Sequence, residues 1–152
     1  MITGVHHVAI CTKNLDRLMA FYRDNFALKV VYQRETATEP NPASDAIFGL
    51  KGVSFRMAML KSTNVFIEMF QFATPPGKDN VPNRPVVDAG ITHTCFTVTD
   101  IWAEYERLKA AGMTFHCPPQ DRPGIGKATY GRDPDGNVIE LIETDPACPF
   151  AA

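Results

Sequence analysis

Residues 5–12 alternate apolar and polar side chains and include β-branched ones, the period-two pattern of a half-buried strand. Asn14 follows as an N-cap. Leu15, Leu18, Met19, Tyr22 and Phe26 then recur at the spacing of a helix with one buried face, running from Leu15 to about Asn25. Lys29 to Gln33 reads as a second strand. Between Glu35 and Gly52 the pattern stops, because Pro40, Pro42, Gly49 and Gly52, with Asn41, Ser44 and Asp45 among them, punctuate the chain. A loop is expected there, with a short helical turn around 43–50. Val53 to Leu60 and Asn64 to Phe72 alternate again and predict a hairpin. Ala73 to Asp88 holds Pro75, Pro76, Gly77, Pro82 and Pro85 and reads as a linker.

The succession then recurs. A strand over 91–98 leads into a helix from about Asp100 to Ala111, with Asp100 as N-cap and Gly112 closing it. Met113 to Cys117 is a short strand stopped by Pro118-Pro119. Lys127 to Arg132 and Asn137 to Glu143 form a hairpin about the turn Asp133-Pro134-Asp135-Gly136. Past Asp145 no pattern continues, and a loose tail is expected. The prediction is an α+β chain of two tandem β-α-β-β-β modules, 4–73 and 90–145, joined by a linker over 74–89 into one domain spanning 1–152.

The length of 152 residues suits one compact domain or two half-domains sharing a core. A hydrophobic content of 45% with 21% charge is that of a soluble globular chain. Net charge is −2 with the two signs interspersed, so no basic footprint for nucleic acid is present. No apolar run approaches the roughly 18 residues of a membrane span. Cys11, Cys95, Cys117 and Cys148 form no C-x-x-C pair, and no secretory pattern precedes the first strand. The expected location is the reducing cytoplasm. Cys11 and Cys95 read as buried small apolar residues.

The two modules echo one another in residues that carry chemistry. His7-Val8-Ala9-Ile10 and His93-Thr94-Cys95-Phe96 each place a histidine at the head of a strand, 86 positions apart. Phe66-Ile67-Glu68-Met69 and Val138-Ile139-Glu140-Leu141 each place a carboxylate in an apolar strand, 72 positions apart. A lone strand histidine ordinarily reads as core or surface, and a lone strand glutamate as a solvated face. Four such residues at matching places in two copies point instead to one metal centre. A carboxylate among apolar side chains needs compensation, and a divalent cation supplies it. Two imidazoles and two carboxylates suit zinc, nickel, cobalt, manganese or ferrous iron, and calcium poorly. His6 faces away from His7 and reads as surface or interface; His116 has no counterpart in the first module. His7 and Glu68 are 61 positions apart, His93 and Glu140 only 47, and the 14 extra residues fit the 35–52 loop.

The duplicated plan, the two histidine strands and Asp133-Pro134-Asp135-Gly136-Asn137-Val138-Ile139-Glu140-Leu141 resemble the vicinal oxygen chelate superfamily over about residues 4–144. That group includes glyoxalase I, methylmalonyl-CoA epimerase, extradiol dioxygenases, fosfomycin-resistance proteins and bleomycin-binding proteins. The resemblance implies paired modules curled into an open, cup-shaped sheet, with His7, Glu68, His93 and Glu140 as ligands to one divalent metal ion. It also implies a homodimer. Glu68 fills a fourth ligand position as in glyoxalase I, which leans away from the three-ligand dioxygenases. No glutathione-contact pattern follows Glu68, and no dedicated epimerase base appears around Phe55-Arg56-Met57-Ala58.

The expected activity is that of a metal-dependent isomerase, epimerase or lyase. It would remove a proton next to a carbonyl of a small-molecule substrate, with the cation stabilising the enolate. Glu140 is the first choice of base and Glu68 its counterpart. Arg56, Lys127 and Arg122 are candidates for an anionic group on the substrate, and Tyr130 for the cavity wall. Phe66, Phe70 and Phe72 suggest apolar walls. The alternatives are an extradiol-type dioxygenase and a non-catalytic binding protein on the same fold.

Overall fold

The computed structural model describes residues 1–81 and 83–151; Pro82, expected within the linker, and Ala152 lie outside the described residues. The chain forms two compact units, Met1–Asp79 and Asn80–Ala152. In the first unit the order is β1 (His7–Cys11), α1 (Leu15–Asn25), β2 (Lys29–Arg34), α2 (Pro42–Phe48), β3 (Ser54–Lys61) and β4 (Phe66–Thr74). These strands make an open sheet of order β1-β4-β3-β2, with β1 parallel to β4 and the other pairings antiparallel. The second unit runs β5 (Thr94–Thr97), α3 (Ile101–Ala110), β6 (Thr114–Phe115), β7 (Gln120–Arg122), β8 (Gly126–Arg132) and β9 (Val138–Thr144). Its sheet order is β5-β9-β8-β6, with β7 paired to β8 and β5 parallel to β9. Neither sheet closes on itself. The mixed α+β class and the duplicated β-α-β-β-β plan expected from the sequence are present. No helix among the described residues is long and apolar enough to cross a membrane.

Each helix starts for the same reason. The Asn14 side chain accepts from the Arg17 N–H at 3.0 Å, and Asp100 accepts from the Ala103 N–H at 3.0 Å. A second orphan donor in each first turn is met from the sheet: Leu15 N–H donates to Gln71 Oε1 at 3.0 Å, and Ile101 N–H to Glu143 Oε2 at 3.2 Å. Gln71 and Glu143 each stand three residues beyond Glu68 and Glu140. An odd step along a strand reverses the face, so the helix covers one side of each sheet while the two glutamates point to the other. Leu15, Leu18 and Tyr22 are buried in the first unit, and Ile101, Tyr105 and Leu108 in the second, as the helical spacing requires.

The structure corrects the sequence reading at four places. β5 begins at Thr94, so His93 stands just ahead of the paired segment rather than inside it. β7 was not expected, because Gln120-Asp121-Arg122 shows no alternation; pairing with β8 alone makes it a strand. Cys11 and Cys95 are exposed instead of buried, since β1 and β5 are the edges of their sheets. The segment after β9 is hooked rather than loose. Asp145 N–H donates to the Ile125 carbonyl at 2.8 Å, Cys148 N–H to the Asp145 carbonyl at 2.9 Å, and Cys148 is buried.

The hairpin between β7 and β8 depends on Gly126. Its φ is +133°, and a Cβ there would fall 2.0 Å from the Glu143 carbonyl oxygen of β9. Gly124, in the same turn at φ +78°, has open space around it. Gly126→Ala is therefore expected to destabilise the fold by about 3 kcal/mol or more, and Gly124→Ala by about 1–2 kcal/mol. Chemical denaturation of the two variants checks the difference; equal losses would show that the close approach to β9 does not matter.

Candidate metal centre

The parallel pairing sets Ala9 opposite Glu68 and Cys95 opposite Glu140. In both units the histidine stands two residues before the one facing the carboxylate, so the sequence echo becomes an echo in register. His7 Nε2 lies 3.2 Å from Glu68 Oε2, and His93 Nε2 lies 2.9 Å from Glu140 Oε2. The other ring nitrogen of each histidine is also engaged. His7 Nδ1 is 2.9 Å from His6 Nδ1, and His93 Nδ1 is 2.7 Å from the Thr92 hydroxyl. His6 is itself stacked on the Phe66 ring at 5.1 Å. Far from being unrelated to the site, His6 orients His7 as Thr92 orients His93. Their shared position, one residue ahead of each histidine, was the signal in the sequence that could have revealed them.

The surroundings of the two carboxylates differ. Glu140 is buried at 9% exposure, beside Tyr130 on β8 and Cys95 on β5. The Tyr130 ring lies 5.0 Å from that of His93. Burial, and then the Glu140 charge, raise the Tyr130 phenol above its ordinary value, with Arg122 pulling the other way. Although Cys95 is exposed on its edge strand, partial desolvation of its thiol, the Glu140 charge and a hydrogen bond with Glu140 push it up to about 12. Both groups therefore stay protonated next to the carboxylate. Glu68 stands opposite Met59 of β3 on the face that also carries Phe55, Phe70 and Phe72. Phe48 of α2 packs edge-on against Phe70 and Phe72 at 5.6 and 5.3 Å. The expected helical turn in the 35–52 insertion thus forms and lays an aromatic wall on the site face. Asn41 caps it, Gly49 ends it at φ +64°, and the Asp45 carboxylate accepts from Gly52 and Val53 N–H groups.

The donor chemistry fits a divalent cation. A His–Glu separation near 3 Å is a hydrogen bond when Nε2 carries a proton. It is also the spacing of two donors at right angles around one ion, each about 2.1 Å from it, which lie about 3.0 Å apart. Each unit presents two such donors. Among the described residues no group of three or more His, Cys, Asp or Glu side chains is placed to hold a metal ion.

The four proposed substrate contacts separate into two pairs. Tyr130 and Arg122 line a cavity of about 460 Å³ in the second unit, together with His93 and Glu140. Arg56 and Lys127 lie on the opposite faces of their sheets. Arg56 pairs across the strands with Gln71, on the helix side, and its guanidinium grips Asp16 of α1 at 2.8 and 3.0 Å. Lys127 is opposite Glu143, which also faces its helix. The expectation that these two meet a substrate beside the glutamates is corrected by strand parity: each is an odd number of positions from a site-face residue on its own strand.

Two open sheets, each with one helix behind it and one His–Glu pair at the same register in front, define a duplicated α+β class with a donor pair per module. The chain belongs to the Glyoxalase/Bleomycin resistance protein/Dioxygenase superfamily, which matches residues 4–141. The resemblance noted in the sequence is therefore borne out. Among its relatives is biphenyl-2,3-diol 1,2-dioxygenase 3 of Rhodococcus globerulus, 28% identical over 89% of this chain and 60% of that protein. The chain thus spans about three fifths of the dioxygenase's length. A 2-epi-5-epi-valiolone epimerase from Actinomyces sp is 27% identical over 97% of the chain and 82% of the epimerase. The crystal structure of a glyoxalase family protein from Bacillus cereus superposes with a TM-score of 0.84 over 95% of each chain at 23% identity, which shows a shared fold.

The Arg56–Asp16 pair makes a prediction about acid. Arg56 holds the Asp16 carboxyl below its ordinary value of 3.8, first by the hydrogen bonds it donates. A depressed folded-state pKa contributes stability that is present above about pH 4 and is lost as pH falls through the lowered value. Asp16→Asn and Arg56→Gln are each expected to flatten that acid limb in denaturation curves, and to leave metal affinity unchanged. A loss of metal or ligand binding in Arg56→Gln would restore Arg56 to the site.

Proposed function

We propose that the protein is a divalent-metal-dependent isomerase, epimerase or lyase that removes a proton next to a carbonyl of a small-molecule substrate. The observation that carries this reading is the repeated His–Glu pair, His7 with Glu68 and His93 with Glu140, at one register in two copies of one module. His7, Glu68, His93 and Glu140 are the residues proposed as ligands to a divalent cation, in one chain or in a homodimer. When bound, the cation acts as a Lewis acid that stabilises negative charge on the substrate oxygen.

The chain's own groups divide the remaining work. Glu140 accepts the substrate proton; its low exposure keeps bulk water from competing for that proton. Thr92 fixes the His93 imidazole through Nδ1, which leaves Nε2 turned to the Glu140 oxygen so that the two would hold the cation between them. The Tyr130 hydroxyl, kept protonated by burial and by the Glu140 charge, is a donor for a substrate oxygen. Glu68 is the second carboxylate proposed for proton transfer, and an epimerase or isomerase needs two such groups. The likeness to an epimerase over nearly the whole chain supports this direction. A ring-cleaving dioxygenase is the second reading, supported by the relative from Rhodococcus globerulus.

The test is metal analysis of gently purified protein, followed by deuterium uptake from solvent into candidate 2-oxo compounds and acyl-CoA thioesters. Stoichiometric zinc, nickel, cobalt, manganese or iron is expected, with exchange that falls about 10²- to 10⁴-fold in Glu140→Gln. Lack of any bound metal, with no rescue by added nickel, cobalt or zinc, would overturn the proposal. Oxygen consumption with catechols that survives Glu68→Gln would favour the dioxygenase.

A further inference from the structure

The cavity beside His93 and Glu140 has a polarity of its own. It is lined by His93 and Glu140, the proposed metal ligands of this unit, and by the Tyr130 ring beside them. Arg122, on the exposed strand β7, also lines it, and its charge is felt by the Tyr130 phenol. Among the described residues Arg122 makes no ion pair, whereas Arg23, Arg56, Arg84 and Arg107 each pair with a carboxylate. Glu140 lines the same cavity, but among the described residues no carboxylate lies within ion-pair distance of Arg122, and a guanidinium so placed on a cavity wall is a recognition group for a ligand's oxyanion. The lining also holds two large apolar side chains, Ile125 from the β7–β8 turn and Phe150 from the hook after β9, along with the hydroxyls of Thr97 and Thr144. Phe150 is otherwise 62% exposed, so it has little core burial to account for its position. It is held there by backbone bonds on either side, from Cys148 N–H to the Asp145 carbonyl and from Ala151 N–H to the Cys148 carbonyl, with buried Cys148 as the anchor.

The superfamily match ends at residue 141. His93, Arg122, Tyr130 and Glu140 fall within the matched stretch; Phe150 lies beyond it. The proposed metal ligands, Arg122 and Tyr130 thus lie in the matched part of the chain, and Phe150 comes from a segment outside it.

We propose that the substrate is a small molecule with one oxyanionic group, taken by Arg122, and a short apolar chain whose length is limited by Phe150. The proposal rests on the metal-assisted reading above and narrows it to small oxo acids. A volume of about 460 Å³ accommodates such molecules with a modest side chain. Each methylene that fits against Ile125 and Phe150 contributes about fourfold in affinity, and a chain that reaches past Phe150 gains nothing further.

Binding of straight-chain 2-oxo acids, from pyruvate to 2-oxodecanoate, to the manganese-loaded full chain is measured by calorimetry, alongside manganese affinity itself. Wild-type affinity should climb with each methylene and then level or fall. Phe150→Ala should move that limit outward by two or more carbons, and Phe150→Trp should move it inward. Arg122→Gln should weaken every member by about ten- to hundredfold, with Arg122→Lys recovering part of the loss. Both positions are exposed, so the variants are expected to fold, and neither should alter manganese affinity. The same length profile in wild type and Phe150→Ala would overturn the role of Phe150. Methyl esters that bind as tightly as the acids, or acids that do not bind at all, would overturn the oxyanion. The parent reading fails separately, by manganese binding that is absent from wild type or unaffected in Glu140→Gln.

Discussion

A carboxylate on the apolar face of a strand is the constraint around which each unit is arranged. Glu140 at 9% exposure cannot be left uncompensated. The histidine facing it, 2.9 Å away, is the least that the structure supplies, and Glu68 meets His7 in the same way at 3.2 Å. Those contacts need a parallel pairing of the first and last strands in the correct register. They also need each imidazole turned with Nε2 toward the carboxylate, which His6 and Thr92 arrange from the other nitrogen. Topology, register and side-chain orientation all serve one short contact per unit.

Strand parity then sorts the rest of the chain. Three residues past each glutamate, Gln71 and Glu143 turn to the opposite face and meet the first-turn N–H groups of α1 and α3. The helix is tied to the back of the sheet by the same strand that presents the carboxylate at the front. A one-residue slip would put the glutamate under the helix and the helix cap in the site. Such a slip is disfavoured on both faces at once, which makes the register a strongly specified feature. Arg56 and Lys127 show the same rule in reverse: cationic, near the glutamates in sequence or pairing, and on the wrong side of the sheet to meet a ligand there.

The two units share this frame and differ in what they add to it. The first spends its insertion on α2, which brings Phe48 onto Phe55, Phe70 and Phe72 and leaves an aromatic surface around Glu68. The second adds the β7 hairpin and the hook after β9, which leave a cavity with a cation and an apolar wall beside Glu140. Duplication accounts for the repeated donor pair. The additions are where the two faces acquire different chemistry.

Much of this was legible in the sequence because it is local or repeated. Helical and strand periods located the main elements, Asn14 and Asp100 marked the starts of α1 and α3, and the echo of His7 with His93 and of Glu68 with Glu140 singled out the residues that meet as His–Glu pairs. Such signals survive in a linear sequence because they depend on spacing alone. The hook that carries Phe150, the strand β7, the exposure of Cys11 and Cys95, and the engagement of Arg56 by Asp16 were not legible. Each of them depends on which backbone lies alongside: β8 for β7, Ile125 for the hook, an open edge for the cysteines, the first turn of α1 for Arg56. The sequence by itself determined the repeated modules and the histidine and glutamate that recur in each. Only the tertiary structure decided which face each neighbouring side chain would occupy, because that depends on pairing partners far away along the chain.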